Sequence, residues 1–243
     1  MVSSNSELKL RKDHYIGAVL EYGPAESDSY ASPHEVLTYN IDKYLGYMQE
    51  ARAAGTDIMV LPEYGLTGLG LSEEEDRAKA RQFMVSGELG RNYCPQAMNE
   101  VSKNYNNNDE MLEMLACGAV EFKMYIVVNI GDVVDCSEDE VGLNKNWKVC
   151  SMYISIVLKS ECLHEDGFNM YNTNLVFDRS GVLVAKHWKE NLFLEPIFDV
   201  PSQPAFTTFT TDFGVNFGTF ICFESLWERA FELIKNVFIT PLE

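Results

Sequence analysis

An alternation of apolar strands with one long helix near the start of the chain constrains the fold most. Residues 15–20 and 58–61 are short apolar runs of the kind that form buried strands. Between them, Ser32 and Glu35 carry the capping-box signature of a helix start, and Gly55 stands where that helix should end. A strand, a helix and a strand in this order predict a parallel or mixed sheet that is covered by helices.

The same alternation continues along the rest of the chain. A helix is predicted over 110–122, a buried strand over 125–130, and a hairpin from the runs 174–177 and 182–185. The apolar run 215–221 supplies the last strand. Because no internal repeat or linker divides the 243 residues, we predict a single domain of the α/β (α+β) class.

The charge balance is strongly acidic. With 37 acidic against 19 basic residues, the net charge is -18, which opposes binding to nucleic acid or to anionic membranes. The polar N-terminus is followed by no apolar segment of the signal-peptide kind, and no stretch is long and apolar enough to span a bilayer. At face value these features predict a soluble, intracellular chain.

The cysteines indicate a different compartment. There are six of them: Cys94, Cys117, Cys136, Cys150, Cys162 and Cys222. No Cys-x-x-Cys pair is present and there are only four histidines, so we predict no structural zinc site. Loop cysteines without zinc indicate disulfides and an oxidising compartment, and the sequence alone leaves their pairing open.

Cys222 lies where the last apolar run meets a helix predicted over 223–235. The inner face of that helix is predicted from the spacing of six residues: Phe223, Leu226, Trp227, Ala230, Phe231 and Ile234. A thiol at the positive end of a helix is expected to favour the nucleophilic thiolate, and the N–H of Phe223 is placed to bind an oxyanion. The alternative is that Cys222 is a small buried core residue.

Two further ionisable residues follow predicted strands. Glu63 comes directly after the strand 58–61, with glycines beyond it, so its carboxylate can face a cleft; the alternative is a solvated loop glutamate. Lys189 follows the hairpin among aromatic residues, where desolvation is expected to depress its pKa. The alternative for Lys189 is a surface lysine whose stem covers apolar neighbours.

These residues and three sequence motifs together resemble the nitrilase superfamily of carbon–nitrogen hydrolases, and within it the vanin-like and biotinidase branch. The motifs are YNTNLVFD at 171–178, KENLF at 189–193 and FICFE at 220–224. The resemblance covers residues 15–236 and includes the order of a Glu–Lys–Cys triad, with each member at the end of a strand. It implies a nitrilase-like α-β-β-α sandwich.

The resemblance also implies a mechanism that needs no cofactor and no metal. Cys222 would be the nucleophile that attacks an amide carbonyl and forms a thioester acyl-enzyme. Glu63 would be the proton acceptor, and Lys189 the proton donor or oxyanion stabiliser. Glu195 is the candidate for a second acid, although its loop is shorter than the family's and its register is therefore open.

The branch implies a small-molecule amide as the binding partner. Pantetheine, cleaved to pantothenate and cysteamine, is the expected substrate, and biotinyl amides are the alternative within the same reaction class. The resemblance further implies an extracellular or membrane-anchored protein. From the charge we expect no nucleic-acid partner, and we also expect that the chain can form a homodimer.

Three features depart from the family pattern. The chain shows neither a signal peptide nor a C-terminal anchor, residues 143–161 resemble an insertion, and Glu243 falls where the family's next core strand would begin. The domain is therefore expected to be incomplete at its C-terminus. The competing hypothesis is a catalytically dead, truncated family member that acts only by binding.

The resemblance suggests a pairing for four of the cysteines. Without the insertion, Cys136 and Cys162 would bracket a short loop typical of the branch, so we expect a disulfide between them. A second disulfide is expected between Cys94 and Cys117, which leaves Cys150 unpaired.

Overall fold

A five-stranded mixed sheet lies at the centre of the computed structural model, which describes residues 14–26, 28–30, 32–73, 76–95, 108–136, 163–203 and 205–239. Its strands, in spatial order, are β1 (Gly17–Val19), β2 (Ile58–Val60), β3 (Tyr125–Asp135), β4 (Phe168–Phe177) and β5 (Leu183–Trp188). The pairs β1–β2 and β2–β3 are parallel, and the pairs β3–β4 and β4–β5 are antiparallel. The predicted mixed sheet and α/β class are confirmed.

Four α-helices accompany the sheet in the described part of the chain: α1 (Pro33–Ala53), α2 (Arg77–Arg81), α3 (Asp109–Phe122) and α4 (Glu228–Ile239). Short 3₁₀ turns cover Leu69–Glu73 and Cys222–Leu226. The capping box that starts α1 is present, since Ser32 Oγ accepts the N–H of Glu35 and Glu35 Oε2 accepts the N–H of Ser32. None of the helices in the described ranges is both long and apolar enough to cross a membrane.

The layers follow from the two apolar faces of the sheet. One face packs on α1 and α3, whose side chains such as Leu37, Ile41 and Leu115 are fully buried. The other face is covered by a small antiparallel sheet of β6 (Thr208–Thr210) and β7 (Asn216–Gly218), from which Phe209 packs on the main sheet. Helix α4 contacts the outer side of β7. The resulting order is helix, sheet, sheet and helix, as the resemblance implied.

The predicted inner face of the last helix is wrong. The segment after Cys222 is a 3₁₀ turn that ends in extended backbone at Trp227, so the α-helix begins only at Glu228. This break changes the phase of the helix, which now packs through Ala230 and Leu233. The other predicted members of that face from position 226 onward are exposed, namely Leu226, Trp227, Phe231 and Ile234.

One predicted disulfide is confirmed, because Cys94 and Cys117 are bonded to each other. Cys136 is also disulfide-bonded. Its expected partner Cys162, the expected free Cys150 and the predicted insertion 143–161 all lie outside the described residues. Among the described cysteines, Cys222 is free and exposed to solvent.

The contact between α4 and β7 yields a prediction for stability. A Cβ atom at Gly218 would lie only 2.7 Å from Cγ of Leu233, so we expect Gly218→Ala to lower the free energy of unfolding by about 1–3 kcal/mol. Gly46 in α1 is the matched control, since a Cβ there would meet no atom within 4 Å. Gly46→Ala should raise the free energy of unfolding by about 0.5–1 kcal/mol in urea denaturation. Equal effects of the two substitutions would contradict the packing described.

Candidate active site

A row of polar side chains crosses the main sheet on the face that meets the small sheet. Asn129 of β3 stands opposite Asn174 of β4, which stands opposite His187 of β5. Asn129 Nδ2 donates to Oδ1 of Asn172 at 2.7 Å and to Oδ1 of Asn174 at 3.3 Å. Sequence reasoning missed this row. The spacing of the asparagines could have indicated it, because Asn172 and Asn174 are two positions apart in a strand and therefore share a face.

Glu63 reaches this row from the turn that follows β2. Its Oε1 accepts a hydrogen bond from Lys189 Nζ at 2.7 Å and another from Asn172 Nδ2 at 2.7 Å. The turn is fixed by Tyr64, whose backbone is left-handed with φ 56° and whose N–H donates to Oδ1 of Asn129 at 3.0 Å. The solvated-loop alternative for Glu63 is therefore wrong, because its carboxylate is held by two donors inside the site.

Lys189 follows β5 directly and is 2% exposed. Its ammonium lies between two carboxylates, 2.7 Å from Glu63 and 3.1 Å from Glu195. Desolvation lowers the pKa of Lys189, but the hydrogen bonds and charges of the two carboxylates outweigh it and raise the pKa above its ordinary value. The predicted depression of this pKa is wrong, because the sequence showed the aromatic neighbours and not the acidic partners.

Glu195 lies in the same cluster, and its side chain is 2% exposed. Its Oε1 accepts from Asn172 Nδ2 at 2.8 Å and from the hydroxyl of Tyr64, and its Oε2 accepts the N–H of Phe193 at 3.1 Å. Burial first, and then the Glu195 carboxylate, raise the pKa of Tyr64, so its hydroxyl remains a donor. The shorter loop thus brings Glu195 to Lys189. Asn172, which binds both glutamates, and Tyr64, which binds Glu195, were missed from the sequence.

Cys222 stands at the first position of its 3₁₀ turn with a left-handed backbone, φ 44°. Partial burial raises the pKa of its thiol, and the charge and hydrogen-bonding interaction of Glu63 raise it further; Lys189 and the N–H of Phe223 oppose this more weakly. The expected thiolate is therefore wrong. Its premise was the end of an α-helix at Cys222, but α4 begins at Glu228, and the Glu63 carboxylate interacts with the sulfur instead.

The structure thus brings together the four residues that the sequence singled out: Glu63, Lys189, Glu195 and Cys222. A protonated thiol beside a carboxylate can lose its proton at the moment of attack, and a fixed ammonium can stabilise an oxyanion. Within the described ranges, no group of three His, Cys, Asp or Glu side chains is arranged to hold a metal ion.

Comparison with known proteins identifies relatives over most of the chain. The family model described as carbon–nitrogen hydrolase matches residues 30–231. A pantetheinase from Sus scrofa is 32% identical over 92% of the chain, and Vanin-like protein 2 from Drosophila melanogaster is 31% identical over 95%. A biotinidase from Mus musculus is 30% identical over 97%. The chain spans 40%, 36% and 42% of these three relatives, respectively.

Solved structures show the same fold at low sequence identity. An amidase from Nesterenkonia sp. superposes with a TM-score of 0.55 at 14% identity, over 94% of this chain and 63% of the amidase. A Saccharomyces cerevisiae protein described as a member of branch 10 of the nitrilase superfamily superposes with a TM-score of 0.51 at 18% identity, over 88% of this chain and 57% of its own. These similarities support the fold.

The contact between Glu63 and the thiol predicts a pH dependence. Glu63→Gln removes a negative charge beside Cys222, so the raised pKa of the thiol should fall and the thiolate should form at lower pH. The pH profile of Cys222 alkylation by iodoacetamide should move to lower pH, with a severalfold faster rate below the wild-type midpoint. Glu121→Gln on the exposed side of α3 is the control. A midpoint that stays unchanged or rises would show that Glu63 does not act on the sulfur.

Proposed function

The chain belongs to the carbon–nitrogen hydrolase family, and we propose that it hydrolyses linear amides with Cys222 as the nucleophile. The observation that carries this proposal is the buried ammonium of Lys189, 2.7 Å from a Glu63 carboxylate that also interacts with the thiol. A nucleophile, a proton acceptor and a fixed cation within reach of one another are the groups that acyl transfer requires.

The proposed reaction has two stages. In the first, Sγ of Cys222 forms a bond to the carbonyl carbon while its proton passes to Glu63, and the C–N bond then breaks as the departing amine takes that proton. In the second, Glu63 takes a proton from water as the water oxygen attacks the thioester carbon. The C–S bond then breaks, Glu63 returns the proton to Sγ of Cys222, and the acid is released. Because burial and Glu63 raise the pKa of the thiol, a base is required at the moment of attack.

Charge developing on the carbonyl oxygen is stabilised by Lys189 and by the N–H of Phe223 in this proposal. Glu63 and Glu195 raise the pKa of Lys189, so the ammonium stays charged through the reaction. Glu195, as the second acid, binds the ammonium at 3.1 Å together with Glu63 and limits its movement.

Pantetheine is the substrate that we propose, with pantothenate and cysteamine as the products. Support comes from the pantetheinase of Sus scrofa, which is 32% identical to the chain. A biotinyl amide is the second candidate, because the biotinidase of Mus musculus is 30% identical over 97% of the chain. The remaining hypothesis is a non-catalytic protein that binds the amide without cleaving it.

We further propose that the protein works in an oxidising compartment, outside the cell or anchored at its surface. The bonded pair Cys94–Cys117 and the disulfide-bonded Cys136 support this location, because such bonds persist where thiols are not kept reduced. We also propose that the protein forms a homodimer and binds a small molecule and not nucleic acid. The net charge of -18 supports the exclusion of nucleic acid.

Release of cysteamine from pantetheine tests the function and the nucleophile together. The wild-type chain should hydrolyse pantetheine faster than a biotinyl anilide. Cys222→Ala should lose at least about 10³-fold in kcat, because no other group can form the thioester. Ser225→Ala, at an exposed position of the same turn, is the control and should retain wild-type activity.

Three outcomes would decide among the candidates. Equal cysteamine release by the wild type and Cys222→Ala would refute the nucleophile. Turnover of the anilide alone would replace pantetheine by the biotinyl amide as the substrate. Saturable pantetheine binding without any turnover would favour the binding-only hypothesis.

A further inference from the structure

Glu224 is a buried carboxylate to which the proposed mechanism assigns no role. Its residue is 5% exposed, and its two oxygens accept three hydrogen bonds. Oε2 accepts the N–H of Ile221 at 2.6 Å and faces Nε2 of His187 at 2.9 Å, while Oε1 accepts the N–H of Glu190 at 2.6 Å. Ile221 precedes Cys222 and Glu190 follows Lys189, so one carboxylate joins the two backbone segments that carry the thiol and the ammonium.

The strained backbone of Cys222 lies inside this arrangement. The N–H of Glu224 donates to the carbonyl oxygen of Ile221 at 3.0 Å, while the Glu224 carboxylate accepts the N–H of the same residue. The two bonds join Ile221 to Glu224, so Cys222 lies within the short backbone segment that they close. A non-glycine residue at φ 44° is strained and persists only where its surroundings impose this conformation. Glu224 supplies that constraint.

His187 fixes the carboxylate from the side of the main sheet. It lies in β5, two positions before Lys189, and is 6% exposed. Nε2 faces Glu224 and therefore carries a proton, and Nδ1 lies 3.2 Å from Oγ1 of Thr207, just before β6. The charged groups around this pair are Glu190 and Arg229, which bind each other at 2.7 Å.

We propose that Glu224 and His187 are positioning residues that hold Cys222 in its left-handed conformation and fix its sulfur relative to Glu63 and Lys189. The proposal rests on the proposed function of Cys222 as the nucleophile. It separates two roles among the acidic residues. Glu63 and Glu195 contact the Lys189 ammonium directly, whereas Glu224 binds two backbone N–H groups and the His187 ring.

Glu224→Gln tests the carboxylate. The N–H groups of Ile221 and Glu190 each need one acceptor oxygen, and the side-chain amide of glutamine offers only one. We expect kcat for pantetheine to fall by about 10- to 100-fold, since a small displacement of a reacting group has an effect of that size, with KM changed less than about threefold. In the same variant the pH profile of Cys222 alkylation by iodoacetamide should move to lower pH, because the sulfur leaves the Glu63 carboxylate and the burial that raise its pKa.

Asp57→Asn is the matched control. Asp57 likewise accepts a backbone N–H, from Ile16 at 2.9 Å, and pairs with Arg179 at 2.8 Å, but it precedes β2 at the end of the sheet away from Glu63. This variant should lose stability with kcat and the alkylation profile unchanged. A Glu224→Gln variant that keeps both the wild-type kcat and the wild-type profile would overturn the proposal, as would an equal change of both in Asp57→Asn.

His187 provides a second test that does not depend on the folding of Glu224→Gln. His187→Gln keeps an N–H donor toward Glu224 and should keep kcat within about threefold of wild type, whereas His187→Leu removes the donor and should lose about 10-fold or more. Equal activity of the two variants would refute the role of His187. If the wild type does not turn over pantetheine, the proposed substrate fails, and the alkylation profiles alone decide whether Glu224 and His187 position the thiol.

Discussion

The interaction on which the site depends is the burial of one lysine ammonium between two carboxylates. Lys189 is 2% exposed, and loss of its ammonium would leave the buried Glu195 carboxylate without its cation, at a cost of about 3–5 kcal/mol. One cation between Glu63 and Glu195 leaves an excess of negative charge. Additional donors disperse it, because Asn172 Nδ2 binds both carboxylates and the Tyr64 hydroxyl binds Glu195. The three donors and the two carboxylates therefore depend on one another.

The strand directions explain how distant parts of the chain supply this set. Strands β2 and β3 are parallel, and two antiparallel steps through β4 make β5 run in the same direction as β2. Glu63 after β2 and Lys189 after β5 therefore emerge at the same edge of the sheet. Strand β4 runs in the opposite direction between them and contributes Asn172, which spans the gap from within the sheet. If all five strands were parallel, β4 would run opposite to its actual direction and would not place Asn172 between Glu63 and Lys189 in this way.

The sequence predicted which residues meet, but not their protonation. Glu63 and Lys189 follow strands of the main sheet that run in the same direction, so their meeting at one edge could be inferred. Cys222 follows the small sheet, and its place beside them was expected from the family resemblance. The pKa of Lys189 and that of Cys222 depend on neighbours in space, and the neighbours in sequence indicated the wrong direction for both. The inner face of α4 failed for a related reason, because the break at Trp227 depends on the 3₁₀ turn and not on periodicity.

Backbone strain is concentrated at the same cluster. Four non-glycine residues in the described part of the chain have positive φ, and three of them adjoin the site: Tyr64, Leu194 and Cys222. Tyr64 follows Glu63, Leu194 precedes Glu195, and Cys222 is the thiol itself. Each strained position costs about 1–3 kcal/mol, so the hydrogen bonds that depend on the strained conformation must contribute more than this cost. One hydrogen bond acts at each of these turns: Tyr64 N–H to Asn129, Phe193 N–H to Glu195, and Ile221 N–H to Glu224. The positions of the acidic and thiol groups are therefore set by the whole polar network and not by any single residue.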